Sequence, residues 1–351
     1  MARRRRIALV PGDGIGIEVI REGRMLLEHL DKKHALGLEI DEKDWGAERW
    51  LREKVGLPKG ALDELSSTTD AVYFGALGDP RIPDMAHGRE ILLGMRQGLD
   101  LYVNLRPVKV LDARFCPLKN KGPAEVDMVI FRENTEDMYV SFGGNLKTGT
   151  LDEVAIDESV NTRKGVERII RAAFEYARAN GRKKVTMSDK SNAIRFGGGL
   201  WQRTFKIVAD EYKDIAADHL FVDVAAMEMV KNPERFDVVV TNNLFGDILS
   251  DLGAGLVGSL GLAASGNLHP GRIGLFEPVH GSAPDIAGKG LANPLAAFLT
   301  ASMMLNFLDA REAAADIDRA VLAVVQENLV TKDLGGTLGT HDVTRAVLAR
   351  L

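Results

Sequence analysis

Short apolar runs alternate with segments of helical period along this chain. Residues 7–10, Ile-Ala-Leu-Val, read as a buried strand, broken by Gly12, Gly14 and Gly16; 17–31 read as the helix after them. Further strands are predicted at 70–74, 100–105, 126–131, 184–188 and 236–240. From Val166, apolar residues recur at Ile169, Ile170, Ala173, Phe174 and Ala177, the spacing of one helix face, and Gly181 stops the pattern. Two more helices are expected at about 294–308 and 312–329. This alternation predicts an α/β protein with a largely parallel sheet.

Two stretches lack a period. Residues 78–90 are rich in Pro, Gly and charge, which suits a mobile loop. Residues 141–160 suit either an extended arm, of the kind that pairs copies of a chain, or an ordinary surface loop. No internal repeat, low-complexity tract or Pro/Gly/Ser linker marks a boundary.

Composition narrows the class. The chain has 351 residues, 45% hydrophobic and 27% charged, with a net charge of −5, which argues against nucleic acid as a partner. The basic run from Arg3 to Arg6 precedes only a few apolar residues, too short for a signal-peptide core or a membrane span. It reads as a solvated tail. Cys116 is the only cysteine, which excludes an intramolecular disulfide and a cysteine-rich metal site. These features fit a cytoplasmic protein.

Asp247 and Asp251 are the first candidates for chemistry. They follow the strand at 236–240, and ligands of open α/β sheets bind beyond the carboxyl ends of strands. At i, i+4 on a helix both carboxylates share a face. Spacing alone supports two readings equally: a site for Mg²⁺ or Mn²⁺, or a helix cap beside an exposed acid. Arg96, Arg106 and Arg132 stand near element ends, where guanidinium forks could converge on carboxylates. Tyr139 and Lys190 are candidate acid and base, or a packed tyrosine and a salt-bridged lysine. Pro11-Gly-Asp-Gly-Ile-Gly16 is a weak dinucleotide signal, because it is not G-x-G-x-x-G. The polar run Glu277-Pro-Val-His-Gly-Ser-Ala-Pro-Asp285 is either a phosphate cradle or a turn.

Taken together, these segments resemble the β-decarboxylating dehydrogenases, the family of 3-isopropylmalate, isocitrate, homoisocitrate and D-malate/tartrate dehydrogenases. The most specific stretches are Asn243-Leu-Phe-Gly-Asp-Ile-Leu-Ser-Asp-Leu-Gly253 and 277–290. The resemblance implies a two-domain isopropylmalate dehydrogenase-like fold, not the classic Rossmann type. One domain, for the cofactor, would join 1–101 to 255–351. The other, 102–254, would carry substrate and dimer contacts, with an arm near 141–160. It implies a homodimer with shared active sites, alone or within a larger oligomer, acting on a small hydroxy acid with NAD and Mg²⁺ or Mn²⁺. Arg96, Arg106 and Arg132 would hold a substrate carboxylate. Asp247 and Asp251, with the partner subunit's Asp223, would bind metal and substrate. Tyr139 and the partner subunit's Lys190 would be acid and base.

The resemblance also bears on cofactor and substrate. Asp285 matches the acid that binds the adenosine ribose in NAD-using members, and it would repel a 2′-phosphate. Ile15, His280, Gly281, Ser282, Ala283 and Asn293 would line the same site. Leu92 and Leu93 stand where isocitrate enzymes use a small hydroxyl residue, so they disfavour a third substrate carboxylate. The order of expectation is 3-isopropylmalate, as in leucine biosynthesis, then D-malate/tartrate. Arg132-Glu-Asn-Thr-Glu-Asp137 and Cys116-Pro-Leu-Lys119 resemble the D-malate branch. Homoisocitrate, isocitrate and a catalytically silent regulatory subunit come after these.

Overall fold

The computed structural model describes residues 4–351. Arg3 of the basic run, and the first three residues of the expected 1–101 segment, lie outside the described residues. The chain divides into two compact units. One gathers the N-terminal residues to Leu101, Lys109–Pro123 and Ala254–Leu351; the other gathers Tyr102–Val108 and Ala124–Gly253. Among the described residues no helix is long and apolar enough to cross a membrane.

In the first unit five strands lie side by side in the order Leu38–Glu42, Arg5–Gly12, Ala71–Ala76, Ile273–Pro278 and Ala264–His269. Neighbouring pairs are parallel except the last, which is antiparallel. The expected strand at 7–10 is thus longer, and its side chains from Ile7 to Val10 are all buried. Buried residues on consecutive positions are what a strand covered on both faces requires. Val10, Trp45, Phe74, Met95 and Leu275 belong to one core cluster. Helix Leu295–Phe307 is apolar on every side, and most of it is buried, as a central helix must be. Lys109–Pro123 belongs with the termini because Arg114 donates to Val325 O at 2.7 Å and Phe115 packs on Gly258.

In the second unit the order is Val103–Lys109, Asp127–Glu133, Val238–Thr241, Lys184–Asp189 and Ala216–Phe221. The last four run parallel to one another, with Val239 opposite both Ile130 and Thr186. Helix Arg163–Ala179 buries the face that its period predicts, Val166, Ile169, Ile170, Ala173, Phe174 and Ala177. Thr162 caps it, its hydroxyl accepting from Gly165 N at 3.0 Å. Phe174 stacks on Tyr212 with ring centroids 5.0 Å apart and lies 5.7 Å from Phe205. Burial of one such ring contributes about 2–3 kcal/mol.

The two aperiodic stretches differ in kind. Residues 143–157 form a hairpin, with Gly143–Leu146 antiparallel to Val154–Asp157 and every residue of both strands exposed. The expected loop at 78–90 ends instead in helical turns, Ala86–Gly88 and Arg89–Leu93. It is anchored by His87, which is fully buried.

Candidate active site

In the second unit, the strand Asp127–Glu133 delivers Arg132 at its carboxyl end, beside the start of helix Asn243–Leu256. Arg132 is 1% exposed, so its charge needs partners. Its Nε donates to Asn243 Oδ1 at 2.8 Å, and its guanidinium pairs with Asp247 Oδ1. It also stands 5.0 Å from the Tyr139 ring centroid, within cation–π range. The Tyr139 hydroxyl donates to the second Asp247 oxygen at 3.0 Å. One carboxylate therefore receives a guanidinium and a phenol.

Asp251 follows one helical turn later and lies 3.9 Å from the Arg106 guanidinium. Arg106 is itself buried and donates from Nε to Asn104 Oδ1 at 2.9 Å. Partial burial pushes the Asp251 carboxyl above its ordinary pKa, and the charge of Asp247 adds to this, against the opposing pull of Arg106 and Arg132. Two carboxylates of which the charge of one raises the pKa of the other are held as a cation would favour. Their donors are all oxygen, which fits Mg²⁺ or Mn²⁺. Among the described residues no group of three or more His, Cys, Asp or Glu side chains gathers as a metal site; the helix offers two.

Burial raises the Tyr139 pKa first; Arg132 opposes the rise and Asp247 assists it. The phenol is thereby kept protonated at neutral pH, the state a proton donor needs. Lys190 and Asp223 form a second pair, Nζ to Oδ1 at 2.6 Å. That bond holds the Asp223 carboxyl below its usual range.

The remaining predicted residues belong to the first unit. Arg96, 8% exposed, donates to Glu277 Oε1 at 3.0 Å. Its buried Nε has no hydrogen-bond partner among the described residues. Leu92 packs on the core cluster, and Leu93 ends the same turn, half-buried. The glycine turn and the polar run meet directly: Ile15 N donates to Ser282 O at 2.8 Å, and a Cβ on Gly14 would strike Ser282. Gly14 has φ +56°, a backbone that glycine adopts without strain. Ala283 also has positive φ, while Gly281 and Asp285 are exposed. Asn293 donates to Asp333 at 3.0 Å and accepts from Leu295 N at 3.0 Å. His280 lies 3.0 Å from Gly281 O through Nδ1, so Nδ1 carries the proton and Nε2 is an acceptor. Burial lowers the His280 pKa, and Nε2 has no partner among the described residues. A neutral acceptor there suits a donor on a nucleotide.

Several supporting residues carry no local sequence signal. Asn243 bridges Arg132 to Glu136 O, the latter at 3.2 Å. Asp137, 2% exposed, accepts from Leu244 N at 2.9 Å and so caps the helix that carries Asp247. Their chain separations of 107–111 residues explain why spacing could not find them.

Comparison with known proteins completes this picture. The family model described as isocitrate/isopropylmalate dehydrogenase matches residues 6–347. A 3-isopropylmalate dehydrogenase of Thermobifida fusca is 47% identical over 352 residues, covering 100% of this chain and 98% of that protein. A probable tartrate dehydrogenase/decarboxylase of Agrobacterium vitis is 43% identical, covering 98% of this chain and 95% of that one. Among solved structures, isocitrate dehydrogenase from Methylococcus capsulatus matches with TM-score 0.88 and 38% identity, over 99% of each chain. With the matched segments spanning both units, the chain belongs to the isocitrate/isopropylmalate dehydrogenase family.

Proposed function

We propose that this protein oxidatively decarboxylates a 3-substituted malate, 3-isopropylmalate first, using NAD and Mg²⁺ or Mn²⁺. The observation that carries the reading is the Asp247 carboxylate held by both Arg132 and Tyr139, with Asp251 one turn away. This arrangement supports reading Arg132 as anion holder, Asp247 and Asp251 as metal ligands and Tyr139 as proton donor.

Arg106 and Arg132 orient a substrate carboxylate, and Arg96 adds a further guanidinium. The partner subunit's Lys190 would remove the hydroxyl proton, and NAD would supply the acceptor for the hydride from the same carbon. Mg²⁺ or Mn²⁺, bound by Asp247, Asp251 and the partner subunit's Asp223, would acidify that hydroxyl and withdraw electrons from the new carbonyl. Carbon dioxide departs from the neighbouring carbon, leaving its bonding electrons behind. Tyr139 returns a proton to that carbon. Asp285 would receive the adenosine ribose, and Ile15, His280, Gly281, Ser282, Ala283 and Asn293 would line the nucleotide site.

Apolar Leu92 and Leu93, with 47% identity to a 3-isopropylmalate dehydrogenase, support an alkyl substituent. The 43% identity to a tartrate dehydrogenase/decarboxylase supports D-malate/tartrate as the second reading. We further propose a homodimer in the cytoplasm, the arm near 141–160 contributing to the pairing. The test is NADH formation with NAD⁺, Mn²⁺ and a panel of 3-isopropylmalate, D-malate, tartrate, isocitrate and homoisocitrate. The highest kcat/KM is expected for 3-isopropylmalate. Turnover of none would reject the proposal in favour of a silent subunit.

A further inference from the structure

Asp13 and His87 have no place in the chemistry above, yet both are buried, at 5% and 0% exposure. Their side chains meet at 2.9 Å through His87 Nε2 and Asp13 Oδ2. The same Asp13 oxygen accepts from Gly78 N at 2.9 Å, and the other accepts from Ala47 N at 2.6 Å. Asp13 N donates in turn to Ala76 O at 2.7 Å. A single carboxylate thus ties four separate segments together. Hydrogen bonds between groups removed from water to this degree hold their segments in one arrangement, although His87 Nδ1 is buried without a partner among the described residues.

What the bond joins is informative. Asp13 sits inside the glycine turn, next to Gly14 and Ile15, which rest on Ser282 of the nucleotide loop. His87 opens the helical turns that carry Leu92, Leu93 and Arg96. The far end of that segment is fastened by Arg96 to Glu277, three residues before His280. Glu277 is itself fixed by Asn267 at 2.8 Å. Residues 87–96 are therefore anchored at both ends to the two loops proposed to hold the cofactor, and all these residues belong to the first unit.

We infer that Asp13 and His87 are positioning residues that lock the acid-selecting turns to the nucleotide loops, so that cofactor binding and acid selection depend on one another. The inference rests on the functional reading above for the roles of Leu92, Leu93 and the nucleotide loops. Loss of the bond releases both sets of groups from one fixed arrangement.

The test measures His87→Leu, His87→Gln and Asp13→Asn. NADH affinity is read by fluorescence titration without turnover, and KM and kcat with the preferred acid. For His87→Leu, NADH affinity is expected to fall roughly tenfold and the KM of the acid to rise together with it, while kcat changes by less than about threefold. His87→Gln, whose amide can donate in place of Nε2, should recover most of both. A folded His87→Leu variant with unchanged NADH affinity and unchanged KM would overturn the inference, as would a lowered melting temperature alone. If His87→Leu does not fold, Asp13→Asn decides: a fall in NADH affinity of at least about fivefold is expected, and none would overturn it. Turnover of no acid by the wild type would reject the functional reading, while the NADH titration would still report on the lock.

Discussion

Gly246 lies directly against the side chain of Arg132: a Cβ at position 246 would stand 2.5 Å from Arg132 Cγ. The helix carrying Asp247 can approach the arginine only because that position is bare. Gly246→Ala is expected to push Arg132 off Asn243 and Asp247. The cost should be about 1–3 kcal/mol of stability, as for other overpacked sites, and kcat/KM should fall at least tenfold. Urea titration and steady-state kinetics on one preparation check both. Unchanged kinetics with a merely lower midpoint would show that Arg132 has no functional task.

Tyr139→Phe removes the phenolic donor while leaving the ring under the Arg132 guanidinium. The overall rate should fall about 10²–10⁴-fold, the usual contribution of a positioned acid. Hydride transfer should suffer less than protonation after decarboxylation. Parallel NADH and CO₂ measurements against the yield of saturated keto acid separate these steps.

Asp247→Asn should weaken activation by Mn²⁺ by an order of magnitude or more, seen as a raised metal concentration for half-maximal rate. It also removes one charged partner of Arg132, at about 1–3 kcal/mol. Near-normal rates at low metal would refute the metal assignment.

Asp285 is exposed, so its exchange should leave the fold intact. Asp285→Lys together with Ile286→Tyr is expected to shift the NADP/NAD ratio of kcat/KM upward by at least tenfold, a change of about 1.4 kcal/mol. A ratio unmoved by the pair would remove the ribose role from this position.

Asp316 provides a pH test away from the site. Its carboxylate is held below the usual range, chiefly by the Lys33 ammonium at 2.6 Å, with burial opposing and His34 and Arg319 assisting. A depressed folded-state pKa means stability that is present above the unfolded value near ~3.9 and lost as pH falls through the folded one. Asp316→Asn should cost about 1–3 kcal/mol at pH 7, and the difference from wild type should narrow in acid. Urea midpoints at pH 7 and pH 3 make the comparison.

Much of the scaffold was legible because its signals are local. The strand around Ile7–Val10 and the helix from Val166 announce themselves by period alone. Strand Ala264–His269 does not, because it buries polar Ser265 and Asn267. Helix Arg195–Ala209 was hidden by Gly197, Gly198 and Gly199, poor helix formers. Gly198 is retained where a Cβ would meet the Ser191 backbone. At the site, residue types along the chain offer candidates for the reacting groups, but not the residues that hold those candidates. His87 finds Asp13 across 74 positions and Asn243 finds Arg132 across 111, distances over which no spacing rule operates.

The strand Ala71–Ala76 lies between Arg5–Gly12 and Ile273–Pro278. Its second neighbour is therefore made some 200 residues after the strand itself. On a ribosome adding about 5–20 residues per second, that interval lasts on the order of ten seconds or more. Throughout it, one edge of the strand and the apolar side chains of its unit wait uncovered, while nearly all of the other unit emerges in one continuous piece. The nascent first unit is thus the part of this protein with the greatest need of a chaperone.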